Sequence, residues 1–183
     1  MPRKFLFAVG VLWACQAAAL QSAAGPQPAT GTIQVAFTPG DDAAGLIMQA
    51  IRHARQQILV QAYSFTHIGI ADALIQAHQR GIEVRVIADP QQAERIPTSL
   101  IRQLAAAGIQ VLMDSEHASA HNKVMIIDAD SHPVVITGSY NFTHAAQFIN
   151  AENLLVLRDN PGIANAYRNN WQRHREHSMP LIP

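Results

Sequence analysis

Short apolar runs alternate along this chain with stretches whose apolar residues recur every three or four positions, and that alternation constrains the fold more than any other feature. Residues 32–38 interleave β-branched and aromatic side chains as a strand does. Residues 39–42, P-G-D-D, make a turn that ends in a helix N-cap. Leu46, Ile47, Ala50, Ile51 and Ala54 then share one helical face to about residue 57. Residues 58–64 are mostly apolar, the pattern of a strand covered on both faces. A helix over 68–79, capped by Gly81, leads to a strand over 82–89. A polar loop over 90–97 and a helix over 98–107, stopped by Gly108, lead to a strand over 109–113. Strands over 121–128 and 134–138 follow a small polar segment and flank a turn at 130–133. Residues 142–149 form a short helix or an irregular loop, and 152–158 a strand. Asn160-Pro161 opens a last helix with Ile163, Tyr167 and Trp171 facing inward. Such units imply a three-layer α/β/α sandwich around a mixed, largely parallel sheet, the mixing lying near the 121–138 hairpin.

Residues 121–128 read H-N-K-V-M-I-I-D. In an extended strand His121 and Lys123 share a face, about 6.6 Å apart along the chain. A nucleophile or base beside a fixed cation suits an anionic phosphoryl group. A second run, G-S-Y-N-F-T at 138–143, again places two polar residues, Ser139 and Asn141, two positions apart. The chain has two lysines, Lys4 and Lys123, and the second falls inside the first run.

H-x-K-x4-D followed shortly by G-S-x-N resembles the signature of the phospholipase D superfamily. With a single motif copy, the A-Y-S-F-T run at 62–66 and Glu152 opening the next strand, the chain resembles the small periplasmic endonucleases of that superfamily. The resemblance implies the phospholipase D/nuclease fold and phosphodiester cleavage by two in-line displacements, without a cofactor or metal. His121 would attack phosphorus and form a phosphohistidine, while a second histidine protonates the leaving oxygen and then activates water. Lys123 and Asn141 would bind the phosphate oxygens, Gly138 would let backbone approach the substrate, and Ser139 would hydrogen-bond within the site. Glu152 would accept the second ring N–H of a catalytic histidine. Asp128 joins this set by the motif, although seven positions from His121 it would point to the opposite face and equally well serve as a turn former. One motif copy per chain implies a homodimer, in which a two-fold axis brings both His121 rings to one site.

Residues 1–24 read as a secretion signal, with Arg3 and Lys4 ahead of a largely apolar stretch of 16 residues at 5–20 and a small-x-small cleavage site at 22–24. A lipoprotein signal ending at Cys15 is the alternative, which Trp13 fits poorly. Residues 25–31 make a flexible lead-in, and 32–183 a single phospholipase D-like catalytic domain in the periplasm or outside the cell. Cys15 is the only cysteine, so cleavage near residue 24 leaves neither disulfides nor cysteine catalysis. Removing Arg3 and Lys4 from the 13 basic residues leaves 11 against 13 acidic ones, so any basic surface depends on where the arginines lie.

Each site residue also has an ordinary structural reading. His121 alone is a surface histidine before a buried strand, Lys123 a strand-edge gatekeeper, Glu152 a solvated strand start. Those readings leave the ordered set unexplained. The other histidines carry less. His117 and His121 lack the helical geometry of a metal pair, and His53, His78, His174 and His177 lie in polar helical contexts and read as solvated. Arg168, Arg173 and Arg175 form a basic face of the last helix. Three functions stay open: a metal-independent, sequence-nonspecific endonuclease on DNA, with RNA as an open second substrate; a lipid phosphodiesterase or phosphatidyltransferase; and a non-catalytic nucleic-acid-binding domain. No amphipathic basic helix follows the leader, so no stable membrane association is expected after cleavage.

Overall fold

The most apolar runs of the chain lie at the middle of one sheet, and a computed structural model describes residues 25–181 around them. The signal expected over 1–24, Cys15 included, lies outside the described residues. In order the elements are β1 (Thr32–Thr38), α1 (Ala43–His53), β2 (Gln57–Ala62), α2 (Ile68–Gln79), β3 (Glu83–Ala88), α3 (Pro90–Arg95) and α4 (Ile101–Ala106). They continue with β4 (Gln110–Met113), β5 (Lys123–Ile127), β6 (Val134–Gly138), α5 (His144–Phe148), β7 (Glu152–Arg158), α6 (Pro161–His177) and β8 (Met179–Pro180). The strands form one sheet in the order β1-β7-β6-β5-β2-β3-β4-β8.

Alternation along β2 and β5 divides the core between two faces. Val60 and Met125 point to the side covered by α1, α2 and α4, where they meet Ile47, Ile51, Leu74 and Leu104. Leu59 and Ile126 point to the other side, where Trp171 of α6 packs with Ala164. Trp171 is almost fully buried, and its indole N–H donates to the Val60 carbonyl at 3.0 Å, which ties α6 to the central strand. Past the reach of α6 the same face carries Leu155 of β7, paired with Val35 of the edge strand β1. Ile33 (59 % exposed), Val35 (50 %) and Phe37 (59 %) make β1 an unusually apolar edge.

The three-layer α/β/α arrangement agrees with the sequence, but the expectation of a largely parallel sheet needs correction. Only β2–β3 and β3–β4 run parallel. The β1–β7, β7–β6, β6–β5, β5–β2 and β4–β8 pairs are antiparallel. The reason lies in the connections. A parallel return needs a long crossover, and residues 114–122 hold no helix that could supply one. Residues 90–97, read as a loop, contain α3. Asp89 caps it through the Gln92 N–H at 2.8 Å, and Pro90 sits in its first turn, where a missing N–H costs nothing.

Helix α1 ends at His53, short of residue 57, and Asp128 is involved. Asp128 follows β5 in a left-handed conformation, φ 47°, and is buried. Its Oδ2 accepts the N–H of Arg55 at 2.8 Å, and its Oδ1 accepts those of Gln56 at 2.8 Å and Gln57 at 3.0 Å. One carboxylate thus satisfies three successive backbone donors between α1 and β2. Replacing it by asparagine keeps the shape and the tolerance of positive φ, but turns an N–H2 toward one of those donors. Urea denaturation of Asp128→Asn is expected to show a loss of about 2 kcal/mol, and an unchanged midpoint would contradict the role.

Candidate active site

Strand β5 begins where β2 ends: Lys123 pairs with Ala62, and the Tyr63 N–H donates to the Asn122 carbonyl at 3.0 Å. This extra bond holds His121 just beyond the strand, beside Tyr63. The two rings pack with centroids 4.3 Å apart. The Lys123 ammonium lies 2.8 Å from His121 Nδ1 and 3.2 Å from Nε2, and it donates to the His121 carbonyl at 2.8 Å. It also stands 5.0 Å from the centre of the Tyr63 ring. An ammonium donor requires a lone pair on the ring nitrogen it meets.

Residues 138–143 use the two-residue alternation differently. Tyr140 and Phe142 are buried, each 1 % exposed, while Ser139 and Asn141 line a cleft with His121 and Lys123. Phe142 packs on Phe65 at 5.6 Å between centroids, and its carbonyl accepts the N–H groups of Thr66 and His67. The Tyr140 hydroxyl donates to Gln147 Oε1 at 3.3 Å, and burial pushes this phenol well above its usual range. Two anchored aromatics thus fix the polar residues between and beside them. Gly138 has φ 148° and sits against the Asn153 carbonyl, which a Cβ would strike.

The cleft is open and about 560 Å³ in volume. Ser139 Oγ donates to Glu152 Oε2 at 2.6 Å and accepts the Asn153 N–H at 3.0 Å. Asn150 Nδ2 donates to the other Glu152 oxygen at 3.1 Å. Within one chain Glu152 accepts from Ser139 and Asn150 and, among the described residues, from no histidine, so the expected histidine N–H is not met there, although each oxygen keeps room for a further donor. The Asn141 Oδ1 is buried and has no hydrogen-bond partner among the described residues. This leaves the amide uncommitted and able to serve an incoming ligand.

His121, Lys123, Gly138, Ser139, Asn141 and Glu152 are thus brought together, and Asp128 is not. Grouped with the site by its motif, Asp128 stands at the far end of β5, bonded to the backbone at 55–57. A strand of that length carries it about 16 Å from the Lys123 end. Four lining residues were not singled out for the site in the sequence, Asn122, Val124, Thr137 and Tyr167. Tyr167 was legible as an inward residue of α6, but only the tertiary fold shows its tip at the cleft. His174 and His177, read as solvated, turn inward onto Asp114. Arg168 is engaged by Asp130 and Asn165, which reduces the free basic face of α6.

A family model described as "Cardiolipin synthase, PLD-like domain" matches residues 47–175. The phospholipase D of Rickettsia typhi is 36 % identical over 146 residues, which is 80 % of this chain and 69 % of that protein. Among solved structures, the phospholipase D family member Nuc from Salmonella typhimurium superposes with a TM-score of 0.77 at 32 % identity, over 83 % of this chain and 99 % of that one. NucT from Helicobacter pylori gives 0.73 at 25 % identity, over 82 % and 99 %.

Lys123 is 7 % exposed, and burial lowers its pKa, while the charge of Glu152 acts in the opposite sense. A folded-state pKa below the unfolded one means that the charged form costs stability, a cost relieved as pH rises through the folded value toward the ordinary 10.5. Lys123→Met is therefore expected to melt at or about 1–3 °C above the unaltered chain at neutral pH, with the gap narrowing as pH rises. A drop of several degrees in the melting midpoint would overturn that sign.

Proposed function

Because this chain belongs to the phospholipase D superfamily of phosphodiesterases, we propose that it is a metal-independent, sequence-nonspecific endonuclease that cleaves DNA, and RNA as well, at a homodimer interface. The observation that carries the reading is a cleft with the polar groups that such chemistry requires and a single imidazole. His121, Lys123, Asn141, Ser139 and Glu152 all line it. Among the described residues no second histidine does, since His117 is turned to Asp114 at 3.1 Å.

Two in-line displacements use two imidazoles in opposite protonation states. His121 attacks phosphorus while the P–O bond to the leaving group breaks, and His121 of the partner subunit gives its proton to the departing oxygen. That second ring then takes a proton from water as the water oxygen attacks phosphorus and the P–N bond breaks. Lys123 and Asn141 of both subunits hold the non-bridging oxygens, where negative charge grows in the transition state. Glu152, steadied by Ser139, orients an imidazole N–H that arrives across the axis. The donor set favours this over metal chemistry at the phosphate: the cleft offers one carboxylate, already engaged by Ser139, and an ammonium in the position of a cation.

The apolar edge supports the dimer. Val124 and Thr137 of the cleft pair with each other, Thr137 pairs with Leu155, and Leu155 pairs with Val35. The strip of Ile33, Val35 and Phe37 is therefore continuous with the cleft on one sheet face, and burying it against a second copy would remove it from water. The charged-then-apolar leader supports export to the periplasm or beyond. The match to nearly the whole of Nuc and NucT supports the compact single-motif form, whereas the name of the Rickettsia typhi relative supports a second reading, cleavage of a lipid phosphodiester.

Plasmid nicking in brief excess EDTA separates these readings. The endonuclease reading expects nicking to persist, to vanish in His121→Ala, and to fall about 100–1000-fold in folded Lys123→Ala and Asn141→Ala. Headgroup release from phosphatidylcholine vesicles without nicking would replace it with the lipid reading. DNA binding with neither activity would leave a binding domain.

A further inference from the structure

Asp114 follows β4 and is fully buried. Its backbone N–H donates to the Ala88 carbonyl at 3.1 Å, so the sheet sets the place of its carboxylate. Three imidazoles converge on it. His117 Nδ1 lies 3.1 Å from both oxygens, His174 Nδ1 2.7 Å from Oδ2, and His177 Nε2 3.2 Å from Oδ1. The three ring centroids are 4.9, 5.2 and 5.4 Å apart. One ligand atom from each of the four residues lies within 4.8 Å of every other.

A carboxylate ringed by imidazole N–H donors accounts for part of this, but leaves two facts. His177 Nε2 is buried, and its approach to Asp114 lacks hydrogen-bond geometry, so the atom has no hydrogen-bond partner among the described residues. Its other ring nitrogen, Nδ1, faces Glu116 Oε2 at 3.3 Å. A carboxylate on the far nitrogen of a ring whose near nitrogen is turned to a shared centre is the arrangement that orients metal-ligating histidines.

We propose that Asp114, His117, His174 and His177 form a structural site for one four-coordinate divalent transition metal of the zinc class, which locks α6 to the segment leading into the active site. Three imidazole nitrogens and one carboxylate oxygen suit such an ion. Bonds of about 2.0–2.1 Å place tetrahedral ligand atoms about 3.4 Å apart, so on loading the widest pairs, now within 4.8 Å, close by up to about 1.4 Å and the carboxylate–imidazole pairs open slightly. His117, the most exposed of the four, has room to move. Four protein ligands leave no open position, so the ion takes no part in phosphodiester cleavage and brief chelation leaves turnover intact.

The site joins two elements that border the cleft. His117 lies four residues before His121. His174 and His177 stand one turn apart on α6, and Tyr167, which lines the cleft, lies seven residues earlier, about 10 Å along the helix. Beyond α6, β8 pairs with β4, which ends next to Asp114. The sequence hid the cluster because the ligands come from positions 60 residues apart, and His117 invited comparison with His121 instead.

Metal content tests the site without using activity, so it can fail or stand independently of the endonuclease reading. Tag-free full-length protein is loaded with zinc sulfate, dialysed against metal-free buffer and measured by inductively coupled plasma mass spectrometry. About one zinc per chain is expected, retained in His121→Ala and lost in the double variant His174→Gln/His177→Gln. A chelator should lower the melting midpoint of the unaltered chain and leave that of the double variant where it is. Should the double variant not fold, cobalt(II) loaded into the unaltered chain should give the intense visible bands of four-coordinate cobalt. No zinc after dialysis, equal zinc without the two histidines, or weak six-coordinate bands would each overturn the proposal.

Discussion

A lysine ammonium is held almost out of water at the end of a central strand, and much of the surrounding architecture serves to keep it there. Lys123 begins β5 paired with Ala62 of β2, and the next residue, Val124, is held between Gln61 of β2 and Thr137 of β6. Its charge is met by the His121 carbonyl and ring and by the face of Tyr63. Those partners bring no negative charge, so they offset only part of the desolvation, and the charge remains available to an anion. A site that stabilises its own cation completely has little left for a substrate. The same residue therefore links the packing of the sheet to the chemistry of the cleft.

The sheet topology explains why the cleft forms where it does. The parallel strands β2, β3 and β4 all end at one edge, and β5 starts from that edge because the chain returns without a crossover helix. The beginning of β5 and the end of β6 consequently meet beside the end of β2. His121 and Lys123 arrive from one strand, Ser139 and Asn141 from the turn after the next, and Glu152 from the start of β7. No long loop is needed, and each side chain is aimed by a short-range register.

Much of this was legible in the sequence because it depends on local pattern. The bounds of β1, α2, β6 and β7 follow from period and capping alone. So does the inward or outward sense of residues 138–143, where aromatics and polar residues alternate. What escaped depends on partners distant in sequence. The antiparallel pairing of β5 with β2 follows from what the 114–122 segment lacks, a helix long enough to cross over. Asp128 reads as part of a signature but spends its carboxylate on backbone donors at 55–57, which no local pattern reveals. Ser139 meets Glu152 across a strand pair, and the Asp114 cluster forms only when α6 returns to β4.

The central claim is that one cleft of this chain is half a catalytic site, completed by His121 of the partner subunit. Mixed dimers test it most directly. The unaltered chain and His121→Ala are refolded together in equal amounts so that subunits exchange at random, and nicking is compared with that of the unaltered chain at the same total concentration. If both imidazoles of a dimer are required, about a quarter of the activity survives. A surviving half would mean that each chain works with its own histidine alone, and the shared site would have to be abandoned.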